Sequence, residues 1–242
     1  MIKQELIKSK KEKLTSEFGL LCWNIYKQND KIRFNNYLES LLREHKVDLI
    51  AFQEVKINMG SKSFLNQFHL SFAPNIKIFN NIYGVMNGAC IPEIKTFSLL
   101  SKHKESVLAT HKSAVFSSYK LKNGETLLLV NLHAINFRGT NVYNKEMDQI
   151  IEVLRHHEGA MIVAGDFNSW NKKRMETLSK LAHTLHLQSV TMDHGHLIKS
   201  FMRHKLDHIF YRGIELKDSH VIDTAKHSDH NALYARFRIS EK

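Results

Sequence analysis

Only two prolines occur in 242 residues, and no stretch rich in proline, glycine or serine interrupts the chain. No interdomain linker is visible, and the length fits one large domain with a substantial core. Cysteine is as scarce. Cys22 and Cys90 lie inside apolar runs rather than at a paired spacing. A disulfide framework is thereby excluded, and buried thiols in a reducing compartment are expected. Nothing approaches the apolar length of a membrane span. Lys3, Lys8, Lys10, Lys11 and Lys13 precede Phe18 with no apolar segment among them. That start reads as neither a secretory signal nor an anchor. A basic arm over residues 1–17, a single domain over 18–242 and a cytoplasmic protein are expected. Acidic residues are in deficit too: 24 against 35 Lys and Arg, a formal charge of +11. Such a surface attracts polyanions and speeds their encounter at low salt.

What the chain does have is polar chemistry repeated at the ends of apolar runs. Leu20-Leu21-Cys22-Trp23 ends on Asn24, and Val47 to Phe52 ends on Gln53-Glu54. Between them Tyr37, Leu38, Leu41 and Leu42 recur at helical spacing, with Asn29 and Asp30 available as caps. The same strand, helix, strand order returns later. Leu127 to Leu132 ends on His133; Tyr143, Met147, Ile150, Ile151 and Leu154 mark a helical face; Met161 to Ala164 leads into Gly165-Asp166-Phe167-Asn168. Two pseudo-symmetric halves are expected to present their polar strand ends to one cleft, as open α/β architectures do.

Between the halves, Ile82 to Cys90, Thr96 to Leu100 and Val107 to Tyr119 are short and β-rich, and Asn123-Gly124 predicts a hairpin turn. A third helix is predicted through Met175, Leu178, Leu181, Ala182 and Leu185, then strands near Asp207 to Tyr211, Leu216 to Ile222 and Ala232 to Ile239. The expected fold class is α/β, a layered sandwich with helices on its outer faces.

Glu54 offers a hard carboxylate oxygen of the kind magnesium prefers. Asp166 and Asn168 alternate with Phe167 and would share one side of an extended segment, although the same residues could simply close the strand in an Asx-turn. One could orient a water and the other hold a phosphate oxygen. A histidine acting on water needs a partner that fixes its tautomer. Asp207 could serve His230 so, while Asp229 binds metal. The pairs His183/His186, His194/His196 and His227/His230 have zinc-like spacings. No glutamate in a metalloprotease arrangement and no cysteine cluster accompanies them.

In order, Trp-Asn24-Ile-Tyr, Phe-Gln-Glu54-Val-Lys, Val-Asn-Leu-His133-Ala, Gly-Asp166-Phe-Asn168, Leu-Asp207-His-Ile and Ser-Asp229-His230-Asn resemble the endonuclease/exonuclease/phosphatase superfamily from about residue 20 to 239. Together with Tyr83-Gly84-Val85-Met86, Lys112-Ser113-Ala114 and Phe210-Tyr211-Arg212-Gly213 they look like its small bacterial YafD-type branch. The resemblance implies a deoxyribonuclease I-like fold, a four-layered α/β sandwich of two mixed β-sheets packed face to face with helices outside. It implies Mg²⁺, with Mn²⁺ as a substitute, held chiefly by Glu54 with Asn24 and Asp229 nearby. Asp166 would position the attacking water, Asn168 would hold the phosphate, and His230 paired with Asp207 would act as base or phosphate stabiliser. His133 would contact the phosphate or protonate the leaving oxygen.

The chain departs from the abasic-site enzymes, which carry an Asp two residues after the first asparagine. Here Ile25 and Tyr26 follow Asn24. Lys27, Lys56, Lys112, Arg138, Lys172, Lys173 and Arg174 lie near the strand ends, a candidate cationic rim for a phosphate backbone, with Lys112 and Arg138 the foremost substrate contacts. The leading expectation is a metal-dependent phosphodiesterase acting on nucleic acid, with DNA favoured. A small or lipid phosphoester, such as an inositol phosphate or sphingomyelin, is the alternative substrate. A non-catalytic nucleic-acid-binding module is the alternative class.

Overall fold

The computed structural model describes residues 11–58, 64–101, 112–136 and 138–240. Its elements are β1 (Glu17–Asn24), α1 (Ile32–Glu44), β2 (Val47–Asn58), β3 (His69–Ile78), β4 (Asn81–Ala89), β5 (Lys95–Leu100), β6 (Ser113–Lys120), β7 (Thr126–His133), α2 (Thr140–Leu154), β8 (Ala160–Asp166) and α3 (Lys172–Thr184). The short β9 (Gln188–Ser189), β10 (Ser200–Phe201) and β11 (His204–Lys205) follow, then β12 (Asp207–Arg212), β13 (Glu215–Ile222) and β14 (Ala232–Arg238). One six-stranded sheet has the order β13-β14-β1-β2-β4-β3 and the other β5-β6-β7-β8-β12-β9, while β10 and β11 pair as a separate ribbon. In each sheet the one parallel pair is a strand, helix, strand unit: β1 with β2, and β7 with β8.

The apolar runs build three layers of core because both faces of the central strands are covered. Leu20 and Cys22 of β1 meet Ile162 and Ala164 of β8 between the sheets. Their neighbours Leu21 and Trp23 turn outward beneath Phe34, Leu38, Leu41 and Leu42 of α1. Met161 and Val163 of β8 pack instead under Tyr143, Met147 and Leu154 of α2 and Leu178 and Leu181 of α3. The four-layered α/β sandwich is thus present, helices outside. Among the described residues no helix is long and apolar enough to cross a membrane.

Several local expectations change. Asn29 and Asp30 do not cap α1. They lie in a 3₁₀ turn, where Asn29 exchanges hydrogen bonds with both backbone groups of Lys56 (2.6 and 3.0 Å) and Asp30 pairs with the Lys56 ammonium at 2.7 Å. β3 has no counterpart in the sequence reading because Pro74 and Asn75 interrupt its alternation. It is an edge strand whose register slips between Pro74 and Ile76, a place where a missing N–H is tolerated. Leu14 of the basic arm is buried in the inter-sheet core and bridges to Leu121. Residues 1–10, and the part of the Val107 to Tyr119 run before Lys112, lie outside the described residues.

A buried amide network ties the sheets together at the cleft end. The Gln53 side chain donates to Asn131 Oδ1 at 2.7 Å, and the Asn131 amide donates to the carbonyls of Phe52 and Met86, both at 3.0 Å. These paired groups in a low-dielectric interior fix relative position, although the Gln53 Oε1 atom itself is buried without a partner. Gln53 precedes Glu54, so the network also sets where that carboxylate emerges.

Candidate active site

Strand pairing alone gathers most of the polar ends. His133 closes β7 opposite Asp166 at the end of β8, and Asp166 in turn faces Asp207, the first residue of β12. Three chemical side chains therefore lie abreast on adjacent strands. Gly165 makes this approach feasible: its φ is +146°, and a Cβ there would sit 2.0 Å from the Leu132 carbonyl oxygen. In the other sheet Asn24 ends β1. Glu54 lies in a bulge of β2, where the register skips from Phe52 to Val55 and Glu54 takes φ +52°. A bulge re-aims a side chain that regular alternation would place elsewhere. Asp229 and His230 come from the loop before β14. Ser228 Oγ donates to the Asn24 carbonyl at 2.7 Å and the Trp23 indole donates to the His230 carbonyl at 2.8 Å, pinning that loop to β1.

The side chains converge on one cavity of about 890 Å³ whose lining includes Glu54, Lys112, His133, Asp166, Asn168, Asp229 and His230. His230 Nδ1 lies 2.8 and 3.1 Å from the two Asp207 oxygens, leaving Nε2 3.7 Å from Asp166 Oδ2. Asp166 does two things at once. Its Oδ1 accepts the Asn168 N–H at 3.0 Å, so the Asx-turn is real, while Oδ2 accepts from the Asn24 amide at 3.1 Å and lies 3.5 Å from His133 Nε2. Asn168 has φ +48° rather than continuing the strand, and its amide donates to the Ala134 carbonyl at 2.9 Å. Both residues still face the cavity while Phe167 packs beneath the outer helices, the turn rather than strand alternation placing Asn168 there.

The two histidines are held in opposite charge states. Burial disfavours the His230 imidazolium, but the charge and hydrogen bond of Asp207, with Asp166 adding to them, prevail and raise it to about 9. His133 is pushed down to about 3, by burial first and then by the Lys112 ammonium, against the opposing pull of Asp166. It is therefore neutral near pH 7, and its Nε2, 3.1 Å from Lys112 Nζ, accepts from that lysine. Glu54 sits below the usual carboxylate range. Burial opposes this, and the Lys27 hydrogen bond and charge, with Lys112, outweigh it. Because the folded value of His230 lies above the ordinary histidine value, its charged pairing contributes full stability below about pH 6.5 and loses it as pH climbs through about 9. In metal-free protein the His230 ring resonances should titrate near pH 9. Asp207→Asn removes the largest raising influence, so burial should then bring the titration below the ordinary histidine value; an unmoved NMR titration would contradict the pairing.

Two donor sets could hold a cation. Asp166, Asp207 and His230 offer atoms within 4.8 Å of one another. There, however, both Asp207 oxygens already engage His230, and Asp166 is committed to Asn24 and Asn168. Asn24, Glu54 and Asp229 instead supply only oxygen donors of the type a hard divalent ion takes, although Asn24 Oδ1 already accepts the Tyr26 N–H at 3.2 Å. Glu54 is paired with the Lys27 ammonium and Asp229 with that of Lys199, each on a flexible stem that can move aside. The oxygen chemistry of the second set is compatible with a hard divalent ion, and the Asp207–His230 pairing in the first with proton handling.

The rim differs from its sequence reading. Lys112 is buried in the cavity wall. Arg138 is exposed and is not part of the cavity lining; its carbonyl accepts from Arg174. Arg174 is no rim residue. It is fully buried, and its guanidinium donates to the carbonyls of Ile135, Asn136 and Arg138 in the loop after β7 and of Asn168 in the turn after β8, at 2.7–2.8 Å. Lys56 is occupied by Asp30, and Lys172 and Lys173 are exposed outside the lining. The sequence reading missed Lys199, Tyr83 and Trp170 as cavity residues. Trp170, two residues past Asn168, carried the one local signal.

Residues 21–230 match the profile described as the Endonuclease/Exonuclease/phosphatase family. A UPF0294 protein of Vibrio cholerae is 35% identical over 229 residues, which are 93% of this chain and 79% of that protein. Among solved structures, an endonuclease/exonuclease/phosphatase family protein from Leptotrichia buccalis superposes with a TM-score of 0.71 at 18% identity, covering 92% of this chain and all of that one. TDP2 of D. rerio, complexed with a single strand DNA product, superposes at 0.65 with 13% identity over 92% of this chain and 99% of its own.

Proposed function

Since the chain belongs to the endonuclease/exonuclease/phosphatase family, a phosphoester hydrolase, we propose that it is a magnesium-dependent phosphodiesterase acting on nucleic acid, DNA foremost. One observation carries this reading: Asp166 and His230, the latter held by Asp207, line the same cavity as the carboxylates Glu54 and Asp229. The basic surface, +11 in formal charge, and the lysines Lys27, Lys112 and Lys199 in the cavity lining favour a polyanionic substrate.

Glu54, with Asn24 and Asp229, would hold the ion, with Mn²⁺ a workable replacement. When bound it would supply Lewis-acid polarisation of the phosphoryl oxygen and stabilise the departing alkoxide. The chain's own groups supply the rest. Asp166 Oδ2 accepts a proton from the attacking water and aims it. His230, held protonated by Asp207, donates from Nε2 to a phosphoryl oxygen, which makes it a phosphate stabiliser rather than a base. Asn168, held by Asp166 at its N–H and by the Ala134 carbonyl at its side chain, offers its amide to the same phosphate. The Lys112 ammonium, braced by neutral His133, meets the phosphate charge from the opposite wall.

A substrate panel with Mg²⁺ tests the reading: plasmid, oligonucleotides, a sugar monophosphate, an inositol phosphate and sphingomyelin. Nicking or strand degradation should exceed turnover of the others, and His230→Ala should lower it by roughly 10²–10⁴-fold. Preference for a monoester or a lipid would overturn the nucleic-acid assignment. Salt-sensitive DNA binding without any turnover would indicate a binding module instead.

A further inference from the structure

Beside its polar groups the cavity carries apolar and aromatic side chains. Ile76 and Ile78 of β3, Tyr83 of β4, and Trp170, Phe201 and Leu206 are among its lining residues. Trp170 leaves the β8 turn two residues after Asn168, so its indole begins beside the amide assigned to the phosphate. The ring is seated firmly. The Arg174 guanidinium lies 4.7 Å from its centroid, itself locked by four carbonyls, and Phe201 meets it edge-on at 6.3 Å and 89°. Phe201 stands at the end of β10 in the ribbon that belongs to neither large sheet, and it is 58% exposed. Met202 beside it is 68% exposed. A ring half in water at the mouth of a phosphoester site adds little to the core, and hydrolysis of the phosphate itself makes no use of it.

We propose that Trp170 and Phe201 form a stacking subsite for an unpaired nucleobase next to the scissile phosphate, so that the preferred substrate is a single strand. The inference rests on the reading of the site as a nucleic-acid phosphodiesterase and narrows it. In a duplex the faces of the bases are covered by their neighbours, and only a single or splayed strand can present one to an aromatic wall. Stacking is tolerant of base identity because every base has a π-face. A cavity of about 890 Å³ also falls in the range that encloses a small ligand rather than spanning a helix. The Lys27, Lys112 and Lys199 ammonium groups in the lining then serve the backbone, and the aromatic pair serves the base.

The test compares three DNA probes of equal length, bound in EDTA and followed by anisotropy: a single strand, the same strand built from abasic units, and a blunt duplex. Wild type should bind the base-bearing strand roughly 5–100-fold tighter than the abasic one. Phe201→Ala should erase most of that gap without weakening abasic binding, and Phe201→Tyr should restore it. Phe201 is exposed, so its variants test the subsite even if Trp170→Ala unfolds. The chain has two tryptophans and Trp23 is buried, so quenching by the base-bearing strand reports on Trp170. Equal binding of abasic and base-bearing strands, or tighter binding of duplex, would overturn the subsite. So would Phe201-dependent binding to phosphatidylcholine vesicles with no base-dependent gap. Hydrolysis of the same probes with Mg²⁺ separates the two claims. Equal cleavage of duplex and single strand, unmoved by Phe201→Ala, sinks the subsite and leaves the phosphodiesterase standing; neither binding nor cleavage of any probe sinks both.

Discussion

Asp166→Asn should lower kcat/KM by roughly 10²–10⁴-fold, well beyond what its modest loss of stability accounts for. Asparagine keeps the shape and can still accept the Asn168 N–H through its Oδ1, so the turn after β8 survives. What disappears is the negative charge at Oδ2, 3.5 Å from His133 and 3.7 Å from His230, where a water must give up a proton. The amide nitrogen would also point a donor at the Asn24 amide, which now donates to Oδ2 at 3.1 Å. KM should change less than kcat, because Lys112, Asn168 and His230 still hold the phosphate. The His230 titration should move downward, since Asp166 is one of the charges holding it up. Activity within fivefold of wild type would remove Asp166 from the chemistry.

Arg174→Met should be the most destabilising single change in the neighbourhood of the site, with a loss of about 4 kcal/mol and a fall in Tm of roughly 10 °C. The side chain is wholly buried between the rings of Tyr143, at 4.4 Å, and Trp170, at 4.7 Å. Methionine can fill much of the volume but donates nothing to the carbonyls of Ile135, Asn136, Arg138 and Asn168. Buried acceptors left without donors carry their full desolvation cost. Turnover should fall as well, because the loop after β7 and the Asn168 turn lose the clamp between them. Thermal denaturation followed by circular dichroism, alongside activity well below Tm, separates the two effects. A Tm within about 2 °C of wild type would mean that water or a rearranged loop satisfies those carbonyls.

The main elements of the site were legible in the sequence because parallel strands covered on both faces read as unbroken apolar runs, and their ends are where the polarity returns. Asn24, His133 and Asp166 stood out by that rule, whereas Asp207 opens the antiparallel β12 and was singled out only as a partner for His230; strand register then sets His133, Asp166 and Asp207 abreast. His230 was legible as a partner for Asp207 through its chemistry, although the two are brought together by a loop tied to β1. Glu54 was found, but not the bulge that turns it toward the cavity, since a bulge depends on the pairing strand. Arg174 looked like one more basic residue beside Lys172 and Lys173. Only the tertiary path of the loop after β7 shows that its carbonyls need a donor. Pro74 hid β3, whose edge position makes that proline harmless. The aromatic wall joins Trp170 to Phe201, far apart in sequence, through a ribbon too short to register as strands.

Titrating Mg²⁺ into EDTA-treated wild type and Glu54→Gln while following cleavage of a labelled single-stranded oligonucleotide tests the metal-dependent phosphodiesterase most directly. The expected result is no cleavage without metal, saturable recovery in wild type, and a Glu54→Gln enzyme that needs at least about tenfold more Mg²⁺ or stays below about 1% of wild-type rate at saturation, in line with loss of a direct ligand. Cleavage that persists in EDTA, or a Glu54→Gln titration superimposable on wild type, would contradict it.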